Sequence, residues 1–532
     1  VGCAPNSSTA TTFVSCLNTG NVDATSTASA ATTNSGGIVG LTNSTETRIV
    51  NATNAGQISG SGSGQMKCNG GIIGLTNSVT IAITGSSNKG SVKVLCKAYY
   101  CFAGGIVGDV DQRVKSAAVV NTTSTGRVEV NGTGSNWRAY AGGIAAAISN
   151  GASIELTGVV NTGNVFAVST DQAYVGGLVG NKDSGTTTVI NNATNTGDVE
   201  ARSTSSNSAA GGAVGLVYYS TLLDATNFLN SGNITATSGN NSAIAGGLVG
   251  KVVQPDLVTY RVNVENSVNR GHIKAETASG VANRVTNAAN TVSMGALEGK
   301  TTHALWESCD GSCTNAFVLD GVCGGECGTA AGGVQLFEQS SMDNLFYTTA
   351  TPNERVDQLL NKQVALHDGW RTWSEELELV DPVNVTFSLP NGTAVEVTVA
   401  AGQLVSEAAA GVVVDGVNMS TAYLVKCHSE QGEGDVVERD SEVWNEFCVI
   451  VCHKVTFVGE ASGVWFVEHQ HAMNTNTHIA EMAADAASKN QVWHDGSDET
   501  AAIDGETVVD GDVAVRVSNN TVSSSSLFSS AS

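Results

Sequence analysis

Apolar and polar positions alternate in short bursts through the first 280 residues, each burst bounded by glycine, and the bursts recur. The fixed point is a pentad of two glycines, two apolar residues and a third glycine. It occurs at 36–40, 70–74, 104–108, 176–180, 211–215 and 246–250, and Gly142-Gly143-Ile144-Ala145-Ala146 is a weaker copy. First glycines are separated by 34, 34, 38, 34, 35 and 35 residues, which is the signature of a repeat array. A second motif, Asn-x-Gly-x-apolar, keeps the same beat about fifteen residues ahead of most pentads. It begins at Asn18, Asn54, Asn88, Asn161, Asn195, Asn230 and Asn269, and Ser124 fills the fourth slot without the asparagine.

Each repeat reads as a coil of short strands. Asn or Ser before Gly supplies a turn, because these residues tolerate positive φ or bond their own backbone. The residues that follow alternate, as in Val199-Glu200-Ala201, placing one side chain in and one out. The pentad is a second strand held between glycines, where a backbone turns or approaches another closely. A third run, such as Val119-Val120 or Val189-Ile190, completes the coil. No repeat has enough apolar residues for its own core, so each leans on its neighbours. Low charge (14%), few aromatics (5%) and 61 glycines suit small side chains stacked in register. The expected fold is all-β: a β-solenoid rod of about eight coils, roughly 40 Å long at ~4.8 Å per coil. No Lys-Ser/Thr follows the glycines, so they do not form a phosphate loop.

On these two motifs, residues 10 to 280 resemble the GLUG repeat, a glycine-rich β repeat of surface and secreted proteins of bacteria and unicellular eukaryotes. The resemblance implies a β-solenoid-like architecture at a cell surface. That family has no common catalytic residues to carry over.

Domain organisation follows from where the beat fades. Residues 1–299 read as the solenoid with an N-terminal cap, Ser293–Gly299 resembling a worn pentad. Residues 300–382 read as a cysteine-rich, partly helical linker, with Val356, Leu359, Leu360 and Val364 at helical spacing. Residues 383–452 and 453–518 read as two copies of one small β module. In the first, Val385–Thr393 and Val395–Val399 form a hairpin about Asn391-Gly392, without a clear closing segment. In the second, Val455–Val458 and Val464–His469 repeat that plan, closed by Ile503–Val515. The pattern resembles the internalin-type B-repeat, a β-grasp-like spacer or adhesive unit of surface proteins. Residues 519–532 are a serine-rich tail.

A net charge of −24 argues against nucleic acid and anionic lipid as partners. No apolar run is long enough to span a membrane. The start at Val1, with no charged-then-apolar segment, fits a mature chain whose leader has been removed or one that begins late.

Twelve cysteines fall in clusters: Cys3 and Cys16; Cys68, Cys96 and Cys101; Cys309, Cys313, Cys323 and Cys327; Cys427, Cys448 and Cys452. Paired CxxC spacing is missing, so disulfides of an oxidising compartment are preferred to zinc, with connectivity open. Sequons stand at Asn6, Asn43, Asn51, Asn121, Asn131, Asn192, Asn233, Asn240, Asn384, Asn391, Asn418 and Asn519. On a eukaryotic secretory route, N-linked glycans there would solubilise the rod and block lateral strand pairing. His469 and His471 share one strand face near Glu468 and His478, but a polar hairpin face is the preferred reading. The segment from His494 to Glu499 is the nearest approach to a calcium loop and lacks its alternating carboxylates. No metal and no cofactor is expected.

These features predict a secreted, non-enzymatic structural protein of a cell-surface fibre, filament or coat, self-associating head to tail. The alternative is an adhesin whose C-terminal modules hold a glycan or protein ligand. A carbohydrate-active β-helix enzyme is the least favoured, because Asp109, Asp111 and Asp171 read as isolated carboxylates.

Overall fold

A computed structural model of the chain describes residues 10–399, apart from 27–31, 64–65, 98, 134–137, 220, 241, 254–259, 324–333, 342–344, 351–353, 365, 368–369, 382 and 389–393. Beyond 399 it describes chiefly the backbone of the strands. The chain divides into two compact units, one of residues 1–370 and 375–379, the other of 371–374 and 380–532.

The first unit is a parallel β-solenoid in which each repeat is one coil. One coil shows the plan of all. Face I is Glu46–Val50 with Thr53–Asn54, face II is Ile58–Gly62, face III is Met66–Gly70 and face IV is Ile73–Thr76. Every strand pairs in parallel with its counterpart one repeat on, as Thr80–Thr84 pairs with both Glu46–Val50 and Ser116–Val120. Faces II, III and IV are each nine strands deep.

The core is built of columns. The apolar residue after Asn-x-Gly stacks rung on rung as Ile58, Val92, Val128, Val165, Val199 and Ile234, all at most 1% exposed. Stacking like on like lets each coil cover the apolar face that its own residues could not bury. Lys182 breaks one such column, between Ile148 and Val217 on face IV. Its buried ammonium donates to the Thr186 carbonyl at 2.7 Å and to Thr186 Oγ1 at 3.0 Å, and burial pushes its pKa well below the usual lysine range.

The parallel ladder does not stop at residue 299. Thr301–His303, Trp306–Cys309 and Cys313–Leu319 pair in parallel with the coil before them, so the first part of the expected linker is the last solenoid coil. Ladder partners are 34 to 39 residues apart as far as Asn269, about seven turns, and the final two steps shorten to 24 and 25. The shortening also moves the motifs. Gly295 lies against the Gly271 carbonyl and Leu297 pairs with Ile273, so Ser293–Gly299 fills the Asn-x-Gly slot and is no pentad. The pentad slot is taken by Gly280, over the Ala304 carbonyl. Stacking on face I ends where Phe346–Thr348 turns antiparallel on Val334–Gln339. The helix expected from the 356–364 spacing forms over Val356–Val364, with Val356, Leu360 and Val364 buried.

The second unit has one mixed sheet crossed by a long strand, Phe447–Val458. Phe447–Ile450 runs parallel to Val385–Ser388 of the first hairpin, and Val513–Arg516 runs parallel to Val455–Val458 of the second. The closing segment that the first module lacked in sequence is therefore the first half of this strand. The two modules have one plan and are fused through a continuous strand that contains the 452/453 boundary.

Candidate functional site

Two sets of side chains stand out on the solenoid. The first is the motif asparagine itself. Asn54 Nδ2 donates to Asn88 Oδ1 at 2.8 Å and to the Gly56 carbonyl, also at 2.8 Å. Asn18 bonds Asn54 in the same way, and the pattern continues as Asn161 to Asn195, Asn195 to Asn230 and Asn230 to Asn269. Each amide thus joins two coils and closes its own turn. The second pentad glycine makes room for it: a Cβ on Gly71 would come within 2.1 Å of the Gly105 carbonyl and 2.3 Å of Asn88 Cγ. The ladder breaks at Ser124, where Ser124 Oγ and Asn161 Oδ1 have no hydrogen-bond partner among the described residues. The asparagines that take positive φ are others, among them Asn51, Asn121 and Asn192 at the corner of face I.

The second set lies outside the coil. The pentad bends so tightly that a Cβ on Gly104 would come within 1.8 Å of the Val107 carbonyl. Faces III and IV are consequently folded toward one another, and side chains that point away from the core converge in a cleft. Face III contributes the column Cys68, Phe102, Tyr140, Tyr174 and Ala209. Face IV contributes Leu75, Asp109, Ala147, Asn181 and Leu216. The apolar residues among them form a buried cluster separate from the core, and Asp109 and Asn181 are buried in the same column. Phe102 and Tyr140 stack at 5.1 Å, Tyr140 and Tyr174 at 5.7 Å. Between Asp109 and Asn181 the small Ala147 leaves a pocket of about 170 Å³, reached also by Arg138, Asp183 and Tyr218.

The cleft is electrostatically unusual. Asp109 is 1% exposed, and burial pushes its carboxyl from 3.8 to about 7, while a 3.1 Å hydrogen bond from Ser149 Oγ pulls the other way. Asp111 and Asp183 add to the rise, so Asp109 and Asp111 are not isolated once folded. Burial, helped by Asp109 and Asp111, pushes the Cys68 thiol well above its ordinary value, which keeps it protonated and unreactive. Burial likewise keeps the Tyr140 and Tyr174 hydroxyls neutral. Asn181 is 5% exposed, and its Oδ1 has no hydrogen-bond partner among the described residues.

The cysteine expectations divide. Cys96–Cys101 and Cys309–Cys313 are disulfides, the first tying face II to face III within one coil. Cys323 and Cys448 are disulfide-bonded to cysteines outside the described side chains. Cys16 and Cys68 are free thiols, contrary to expectation. Cys68 sits in the outer cleft, and Cys3, the partner considered for Cys16, lies outside the described residues, as do Cys327 and Cys427 and the side chain of Cys452.

Among the sequons, Asn51, Asn121, Asn233 and Asn240 are exposed and Asn43, Asn131, Asn192 and Asn384 half-buried. Asn6, Asn391 and Asn418 and the side chain of Asn519 lie outside the described residues. His469 and His478 lie outside them too, and the side chains of Glu468, His471 and His494 are not described. No cluster of three or more metal-binding side chains occurs among the described residues. No described helix is long and apolar enough to cross a membrane. Sequence reasoning missed the cleft; its one trace was the carboxylate just after the pentad at Asp109. No family model matches the chain, and no curated protein matches it.

Proposed function

We propose that the chain is a non-enzymatic structural protein of the cell exterior, a glycosylated β-solenoid subunit of a surface fibre, filament or coat. The observation that carries this reading is the asparagine ladder. A motif residue from nearly every repeat is spent on joining one coil to the next, and that is what a rod requires. Four exposed sequons on the solenoid and two disulfides suit a secretory route. The resemblance to glycine-rich repeats of surface proteins points the same way. In the first described rung the core-facing Phe13 and Val22 are only half-buried, where Ile49 and Ile58 of the next rung are fully buried, so this rung offers an apolar surface for another copy, whereas Phe346–Thr348 turns antiparallel on face I at the other end.

Negative-stain microscopy of the protein released from its source without denaturant tests the reading, together with the mass shift after enzymatic deglycosylation. Filaments of regular axial repeat and a loss of mass are expected. Single short rods at every concentration, or an unglycosylated chain, would overturn the glycosylated-fibre reading.

A further inference from the structure

We propose that the outer cleft between faces III and IV is a binding site for one ring of a neutral glycan. The inference does not depend on whether the rod belongs to a fibre.

The cleft is built, and it is incomplete. Leu75 and Leu216 fill the same column two rungs to either side, whereas Ala147 leaves it open between Asp109 and Asn181. The opening, about 170 Å³, is the size of a single hexose ring and small for most other ligands. Asn181 Oδ1 is buried and unpartnered there, and an orphan acceptor of this kind costs ~1–3 kcal/mol unless a donor reaches it.

The lining selects the chemistry of that donor. The column rings already stack on one another, so their edges and hydroxyls, not their faces, meet the space. A ligand aromatic ring therefore finds little to stack on, apart from the exposed Tyr100 at the rim. Charges of both signs are present. Arg138 is hydrogen-bonded to Tyr140, and Asp183 stands across the opening. A free anion meets Asp183 in a chain of net charge −24, and a cation meets Arg138. A hydroxyl-rich neutral ring satisfies all of these groups. Its hydroxyls donate to Asn181 Oδ1 and Asp183 and accept from Arg138 and Tyr218, while its C–H faces rest on Ala147 and Met66.

The test is calorimetric titration of the full chain with neutral gluco-, manno-, galacto- and chito-oligosaccharides, and with heparin as the polyanion. At least one neutral oligosaccharide is expected to bind. Ala147→Leu, which places in the pocket the residue already accommodated at Leu75 and Leu216, is expected to weaken binding at least ~10-fold, or ~1.4 kcal/mol. Its melting temperature should be no lower than that of the parent. Asn181→Leu provides the same test should Ala147→Leu fail to fold. Absence of binding by every neutral oligosaccharide at about 10 mM, binding unchanged in a folded pocket-filled variant, or preference for heparin would overturn the proposal.

Discussion

The asparagine ladder and the outer cleft are columns of the same solenoid, stacked at the same rung spacing, yet they are composed in opposite ways. In the ladder nearly every rung carries the same residue, and away from the break at Ser124 an amide such as Asn54 or Asn195 is bonded above, below and to its own turn. In the cleft every rung differs: Leu75, Asp109, Ala147, Asn181 and Leu216 follow one another on face IV. Repetition satisfies polar groups because each copy is its neighbour's partner. Variation leaves groups unsatisfied, as at Asn181 Oδ1, and destabilised, as at Asp109. A column that repeats holds the rod together, and a column that varies is where a rod can recognise something.

The largest effect that separates the two columns is expected at Asp109. Its folded-state pKa lies above the unfolded value, so the native state takes up a proton between about pH 4 and pH 7. Its contribution to stability is complete below that window and is lost as pH rises through about 7. Asp109→Asn should match the parent near pH 4 and exceed it by up to ~4 kcal/mol at pH 8. Denaturant unfolding at the two pH values measures this, and a difference that does not depend on pH would disprove it. Next comes Asn195→Ala. It removes the acceptor for Asn161 and the donor to Asn230 and the Gly197 carbonyl, and should cost ~3 kcal/mol in the same assay. An equal loss on Thr237→Ala, at an exposed position of face II, would mean that the ladder has no special role. The smallest effect is a gain. Ser124→Asn restores the missing rung, gives Asn161 Oδ1 a donor and should add ~1 kcal/mol, read as a higher denaturation midpoint with unchanged slope.

Much of the ladder region was legible before folding. The period located the coils, the alternation put Val199 and Ala201 on one side of their strand, which is the core side, and of the two roles raised for the asparagine it takes the bond to its own backbone. Positive φ was the other option raised for it, and that conformation belongs instead to Asn51, Asn121 and Asn192, noticed only as sequons. The cleft was not legible, because its members are related by register alone. Ser149 lies 40 residues from the Asp109 that it bonds, and a carboxylate looks solitary until the coils between are wound. The last coil was misplaced for a related reason. Its shortened step of 24 residues breaks the spacing on which the reading relied, although Trp306 and Cys309 still stack on the rung before.

The interruption at Ser124 shows that a coil can depart from the motif without loss of the stack, and uniform rungs have a further consequence for descent. Each coil presents to its neighbours nearly the surface that they present to it, so duplication or deletion of one whole period creates no mismatched junction over most of the solenoid. The exception is the stretch from Met66 to Tyr218. There the pocket draws on five successive coils, and a coil gained or lost among them would pull Phe102, Ala147, Asn181 and Tyr218 out of sequence. Rod length is thus free to vary among descendants of this gene on either side of that stretch, while the stretch itself is inherited as a block.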